Sequence, residues 1–264
     1  MSSKAHPRKV LLTGAAGRIG SVLREGLRGD LDELRLSDRE HLVPVPGTSE
    51  TFVQADLQDP AAMVAAMKGV DAVIHLGGNP SEASFTDLLG PNILGTFNVF
   101  EAARETGAKR IVYASSNHAT GFYGPGDKLT GSEPTRPDSL YGVTKVFGEA
   151  IGSLYADKFG LQVVAVRIGS FEERPSHPRH LHTWLSHRDA VQLFRCCLNA
   201  DSIHFLAIYG VSANRRTWWP LGDAARAIGY EPQDDAEDYL EEVGEGSERF
   251  QGGPFTKPDY GGWI

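Results

Sequence analysis

Cysteine is scarce in this chain of 264 residues: its only two, Cys196 and Cys197, are neighbours within an apolar helical pattern. A disulfide between adjacent residues is strained, and no CxxC pair or spaced metal-ligand cluster occurs, so both thiols read as buried packing residues. Long apolar runs are missing too. Val10-Leu11-Leu12, behind a basic N-terminal stretch, breaks at Thr13-Gly14 and is too short for a signal peptide or a membrane span, which makes a cytoplasmic location the expectation. Positive charge is in deficit: 26 Lys and Arg against 34 Asp and Glu leave a net charge of −8. That balance argues against non-specific binding to nucleic acid or an anionic membrane, and an acidic substrate would need a locally placed arginine. Repeats, low-complexity tracts and linkers are also lacking, so one compact domain is the default.

What is present is an alternation. Runs rich in Val, Ile and Leu predict strands over Lys9–Leu12, Glu33–Ser37, Thr51–Ala55, Ala72–Leu76, Arg110–Ala114, Gln162–Arg167 and Ile203–Tyr209. Helical periodicity predicts Arg18–Leu27, Pro60–Met67, Asn92–Thr106, Leu140–Phe159, His187–Ala200 and Leu221–Ile228 between them. This pattern predicts an α/β, doubly wound, mostly parallel Rossmann-type sheet with helices on both faces. Residues 1–168 read as the dinucleotide-binding core. Residues 169–264 read as a small substrate-capping portion interleaved with the last strands, with Gly244 to Ile264 wrapping the surface.

Directly after the first strand, Gly14, Gly17 and Gly20 form a GxxGxxG spacing that opens a helix. The first allows a tight turn, the second lets backbone approach a pyrophosphate at the helix's positive end, and the third lets helix and strand pack closely. Asp38, about 20 residues beyond the loop, is placed to bind ribose hydroxyls and repel a 2′-phosphate, which favours NAD over NADP. Arg39 pulls the other way. Asp56 and Leu57 after the third strand are candidates for the adenine, although Asp56 is equally a cap for the helix near Ala61; Leu76, Gly77 and Gly78 would lie under the cofactor.

Tyr141 and Lys145 open the longest helix four residues apart, on one face. A phenol titrates near pH 10 and needs an adjacent cation to act as a base near neutrality. Ser115-Ser116-Asn117-His118 ends the preceding strand on the side where ligands of open α/β sheets bind.

Taken in order, the Gly14–Gly20 loop, the strand-end acid, His75-Leu76-Gly77-Gly78, the helix from Asn92, Ser115–His118, Tyr141–Lys145 and Arg167–Ser170 resemble the extended short-chain dehydrogenase/reductase family. With Arg249-Phe250-Gln251-Gly252-Gly253, the resemblance is specifically to its uronate dehydrogenase branch. The resemblance implies oxidation of glucuronate or galacturonate at C1 by NAD, giving an aldarolactone. Tyr141 would take the C1 hydroxyl proton, Ser116 hold that oxygen, and Lys145 tune Tyr141 and fix the nicotinamide ribose. Asn92 would anchor a proton-relay water or else simply start a helix. Asn117, His118 and Ser170 would bind sugar hydroxyls and Arg179 would clamp the carboxylate, with Ser81 standing in for a serine displaced from its usual place. Arg18, Ile19 and Ile168 would flank the cofactor. A homo-oligomer formed through the amphipathic Asn92 and Leu140 helices is also implied, although burial within one chain produces the same pattern.

Other residues have blander uses. No carboxylate lies within the stretch from His177 through His180 to His182, and the chemistry implied needs no metal, so none is expected. Arg174 is a rival clamp or a solvated charge, Arg167 a structural ion-pair partner, His75 a core histidine, and Trp218-Trp219 packing for the cap. Two other functions stay open: a nucleotide-sugar epimerase or dehydratase, which would want a longer C-terminal domain, and a redox sensor, which would have no use for Ser116, Tyr141 and Lys145 together.

Overall fold

The computed structural model describes residues 7–261, so the ends of the N-terminal basic stretch and of the Gly244–Ile264 segment lie outside the described residues. Strand β1 (Lys9–Thr13) leads through the glycine loop into α1 (Arg18–Leu27), followed by β2 (Glu33–Asp38), β3 (Glu50–Gln54), α2 (Pro60–Met67) and β4 (Ala72–His75). A short α3 (Phe85–Leu88) and a wide π-helical turn over Leu89–Leu94 precede α4 (Gly95–Thr106) and β5 (Arg110–Ser116). Next come α5 (Leu140–Phe159), β6 (Gln162–Ile168), β7 (Ser170–Phe171), α6 (His180–Thr183) and β8 (Trp184–Leu185). Helix α7 (His187–Asn199), β9 (Phe205–Gly210), α8 (Asp223–Ala227) and α9 (Leu240–Val243) follow.

All seven expected strands form, and they make one parallel sheet in the order β3-β2-β1-β4-β5-β6-β9. The fold is the doubly wound α/β architecture that the alternation predicts. Strands apolar at every position work here because both faces are covered. Val10 and Leu12 face a core with Leu23 and Leu27 of α1 and Leu193 and Phe194 of α7, while Leu11 between them faces Met63, Val99 and Phe100. Cys197 lies inside the first core and Cys196 is half-buried against it. No helix among the described residues is long and apolar enough to cross a membrane.

Two helices begin later than periodicity predicts. Pro91 has no N–H for an α-turn, and the chain widens into the π turn that carries Asn92 before α4 starts at Gly95. Gly222 is extended and packs against the Thr130 carbonyl, so α8 starts only at Asp223.

Sheet order reverses between β1 and β4, so the chain leaves their C-terminal ends in opposite directions and a crevice opens there. Its floor is braced by a buried ion pair between α5 and β6. Arg167 Nε and Nη2 donate to Glu149 Oε1 and Oε2 (2.9 and 2.8 Å), and Ser115 Oγ donates to Glu149 Oε1 (2.6 Å). Burial opposes the arginine's charge, but the Glu149 fork outweighs it and raises the guanidinium pKa. This is the structural partner expected for Arg167. Glu149→Gln leaves a buried guanidinium without its counter-charge and should cost about 3 kcal/mol of stability in a urea titration.

Candidate active site

The crevice is a continuous cleft of about 1050 Å³ running from Asp38, past the glycine loop and Lys145, to Arg179 and Phe255. At the loop end, a Cβ on Gly20 would lie 2.2 Å from the Gly14 carbonyl oxygen, and Gly14 (φ +69°) sits against the Gly77 backbone. Only glycine allows α1 to start this close to β1, which leaves its amino terminus facing the cleft. Asp38, ending β2, accepts from Ala16 N–H (3.0 Å), tying the acid to the loop. Arg18 reaches across the sheet end, donating to the Phe171 carbonyl (3.0 Å) and pairing with Glu172 (2.8 Å). Asp56 and Leu57 line the cleft; the cap of α2 is Asp59, whose Oδ1 accepts from Ala61 and Ala62 N–H. The cradle without room for side chains, the open helix terminus and the strand-end carboxylate fit a dinucleotide.

At the centre, β5 delivers Ser116 and α5 delivers Tyr141 and Lys145. Gly142 makes this possible, because a Cβ there would lie 2.4 Å from the His118 carbonyl oxygen, and without one the first turn of α5 abuts the tight turn Asn117–Thr120. Ser139 caps α5 by accepting from Gly142 N–H (3.0 Å). Lys145 Nζ donates to the Ala114 carbonyl (2.8 Å) and lies 5.3 and 5.4 Å from the ring centres of Tyr113 and Tyr141. Burial pushes Tyr141 up to about 12, partly offset by the Ser116 hydroxyl, and brings Lys145 down to about 8.

At the far end, Arg179 is half-buried beneath the C-terminal segment. Its Nε and Nη2 donate to the Gln251 carbonyl (3.2 and 2.6 Å) and Nη1 to Ser170 Oγ (3.1 Å). With the Asn117 amide oriented to satisfy both its neighbours, its oxygen accepts from Arg179 Nη2 and its nitrogen donates to the Ile168 carbonyl (both 3.0 Å). Burial lowers the guanidinium to about 10, and none of the ion pairs formed among the described residues involves it. Its hydrogen-bond partners are uncharged, and the Glu248 and Asp138 carboxylates, beyond ion-pair distance, offset only part of that lowering.

Of the site residues anticipated from sequence, all but Ser81 and Asn92 line this cleft. Ser81 is exposed on the outer rim. Asn92 sits behind the wall: Oδ1 accepts from Asn79 N–H (2.7 Å), and Nδ2 donates to the Asn79 carbonyl and Thr144 Oγ1 (both 3.1 Å), pinning the β4 loop to α5. Arg174 pairs with Glu242 at the surface (3.0 Å). His75 is buried between Thr13 and Thr96, while His182 stacks on Trp218. Sequence reasoning missed three contributors. Glu82 accepts from Leu140 and Tyr141 N–H (3.1 and 2.7 Å), Asp138 accepts from His118 Nδ1 (2.8 Å), and Phe255 stacks on the His118 ring (3.8 Å). No local spacing tells which neighbour each of them meets.

A glycine cradle at the reversal of a parallel sheet, with Ser116, Tyr141 and Lys145 beside it, defines a dinucleotide-dependent enzyme of the extended short-chain class. Residues 10–234 match the NAD dependent epimerase/dehydratase family, and the chain belongs to that family. Its relatives include a uronate dehydrogenase of Pseudomonas putida, 46% identical over 88% of this chain and 86% of that protein. An NAD-dependent glucose-6-phosphate dehydrogenase of Haloferax volcanii is 40% identical over 87% of this chain and 95% of its own length. Among solved structures, a tyrosine-to-alanine variant of Agrobacterium tumefaciens uronate dehydrogenase complexed with NAD superposes with a TM-score of 0.90, at 40% identity over 96% of this chain and 99% of that one.

Because burial holds Lys145 at about 8, below its unfolded 10.5, the unfolded chain binds more protons between those values. The cost of burying the ammonium is therefore complete below pH 8 and fades as pH rises toward 10.5. Lys145→Met should melt higher than the parent at pH 7, by an amount that shrinks as melts are repeated at rising pH.

Proposed function

We propose that this chain is an NAD-dependent uronate dehydrogenase that oxidises a hexuronic acid, glucuronate or galacturonate, at C1 to the aldarolactone. The observation that carries the reading is Arg179, a half-buried cation that lines the same cleft as Ser116 and Tyr141 and is hydrogen-bonded only to uncharged groups. A carboxylate supplies the missing counter-charge. The P. putida and A. tumefaciens relatives, which carry this activity in their names, support the substrate class.

In this reading Asp38 and the Gly14–Gly20 loop hold NAD, flanked by Arg18, Ile19, Asp56, Leu57, Leu76, Gly77, Gly78 and Ile168. NAD, when bound, accepts the hydrogen that leaves C1 with its electron pair. Tyr141 takes the C1 hydroxyl proton at Oη and Ser116 Oγ holds that oxygen. Since burial, only partly offset by the Ser116 hydroxyl, raises the Tyr141 pKa to about 12, the base depends on the Lys145 ammonium and a bound cationic nicotinamide. Asn117, His118 and Ser170 bind ring hydroxyls while Arg179 clamps the carboxylate. The cyclic hemiacetal becomes a lactone directly, so no water enters the step. Asn92 holds the wall in place from behind.

We infer further that residues 169–264 act as the substrate cap, that the protein works in the cytoplasm, and that it is a homo-oligomer. The exposed Phe97 of α4 and Val143, Leu154 and Phe159 of α5 support the last point, as apolar side chains suited to a helix-to-helix interface.

The deciding assay follows NADH formation with glucuronate and galacturonate beside glucose, galactose and glucose 6-phosphate, each with NAD and NADP. Turnover of the uronates with NAD alone is expected, with the rate climbing as pH rises because Tyr141 must lose its proton. Rapid oxidation of glucose 6-phosphate instead would reassign the clamp to a phosphate. Tyr141→Phe should lower kcat about a thousandfold with NAD affinity retained. Arg179→Ala should act mainly on KM, raising it about a hundredfold.

A further inference from the structure

The sequence Arg249-Phe250-Gln251-Gly252-Gly253 has so far carried no chemistry, yet Gln251 is fully buried and anchored on every side. Its Oε1 accepts from Trp219 Nε1 (2.6 Å), and its Nε2 donates to the carbonyls of Gly124 (2.9 Å) and Asp127 (2.8 Å). Its backbone N–H donates to the Tyr123 carbonyl (2.8 Å). Every polar group of this residue is thus committed, and the one pointing at the cleft is its carbonyl, which takes both Nε and Nη2 of Arg179. The glycines that follow let the chain lie close. A Cβ on Gly252 would sit 1.8 Å from an Asp138 carboxylate oxygen, and Gly253, at φ +59°, passes over the Arg179 side chain.

A guanidinium that no carboxylate grips directly keeps its orientation only where neutral acceptors fix it, and a long arginine side chain otherwise gives up considerable rotamer freedom when it binds. We propose that Gln251 is a positioning residue: its buried amide fixes its own carbonyl, and that carbonyl holds Arg179 preorganised for the substrate's anionic group. The proposal rests on the reading of Arg179 as the carboxylate clamp. It assigns the Arg249–Gly253 segment a role in substrate affinity and none in the chemical step.

The test is a double-mutant cycle in the full-length protein. Gln251→Met keeps the volume and removes the amide; Trp219→Phe removes only the donor to Oε1 and serves if the first variant fails to fold. Gln251→Met should raise KM for galacturonate at least tenfold, with kcat within about threefold and NAD affinity unchanged, and Trp219→Phe should raise KM severalfold. In an Arg179→Ala background neither change should lower kcat/KM further. Equal losses in both backgrounds, or a fall in kcat with KM unchanged, would show a merely structural role and overturn the proposal, leaving the substrate reading intact. A wild-type protein that oxidises neither uronate would remove the substrate reading itself, and this proposal with it.

Discussion

Two cations, Lys145 buried and Arg179 half-buried, line one cleft with no carboxylate in ion-pair contact, and most of the site's architecture answers to that constraint. Lys145 and Arg179 are both held by backbone carbonyls, Ala114 in one case and Gln251 in the other, and burial lowers the pKa of each. A neutral acceptor satisfies a donor's geometry without cancelling its charge, so both cations keep most of their field for whatever enters the cleft. Arg167, near the end of β6, shows the opposite solution: its fork is closed by Glu149, and its charge is spent on joining α5 to β6. Of these three cations, one holds the fold and two line the cleft with no carboxylate gripping them.

The sheet decides where those charges can stand. Because β1 and β4 send their connections to opposite sides, no chain crosses the crevice between them, and loops from six different strands can converge on it. Alternation within each strand supplies two separate cores, one beneath α1 and α7 and one beneath α2, α4 and α5. That double packing makes the strand ends rigid platforms, so Ser116 and Ile168, neighbours in register across β5 and β6, carry hydroxyl and backbone groups to fixed places. The C-terminal segment then closes the far end, bringing Phe255 onto His118 and Gln251 onto Arg179.

Much of this was legible in the sequence because the signals are local. The glycine spacing declares itself within eight residues, since each glycine meets a steric demand made by its own turn, and Tyr141 and Lys145 share a face by helical geometry alone. The departures come where distant segments intervene. Asn92 reads as a helix start, but Pro91 widens the turn and the Asn79 backbone claims its amide. Ser81 is two residues from Asn79, yet the loop path leaves it on the rim. Asp56 and Asp59 are equally plausible caps by type, and only the path of the chain into α2 selects Asp59.

By itself, then, the sequence determined the fold class, the glycine loop that opens α1, the placing of Tyr141 and Lys145 on one helix face, and the family, all of which depend on spacings within one or two elements. Tertiary structure alone decided that Glu82 meets the first turn of α5, that Asp138 orients His118, and that a glutamine some seventy residues after Arg179 fixes the arginine's direction. The reason is physical: periodicity and turn chemistry act over a few residues, whereas the partner of a buried polar group is chosen by whichever segment packing brings within hydrogen-bond reach.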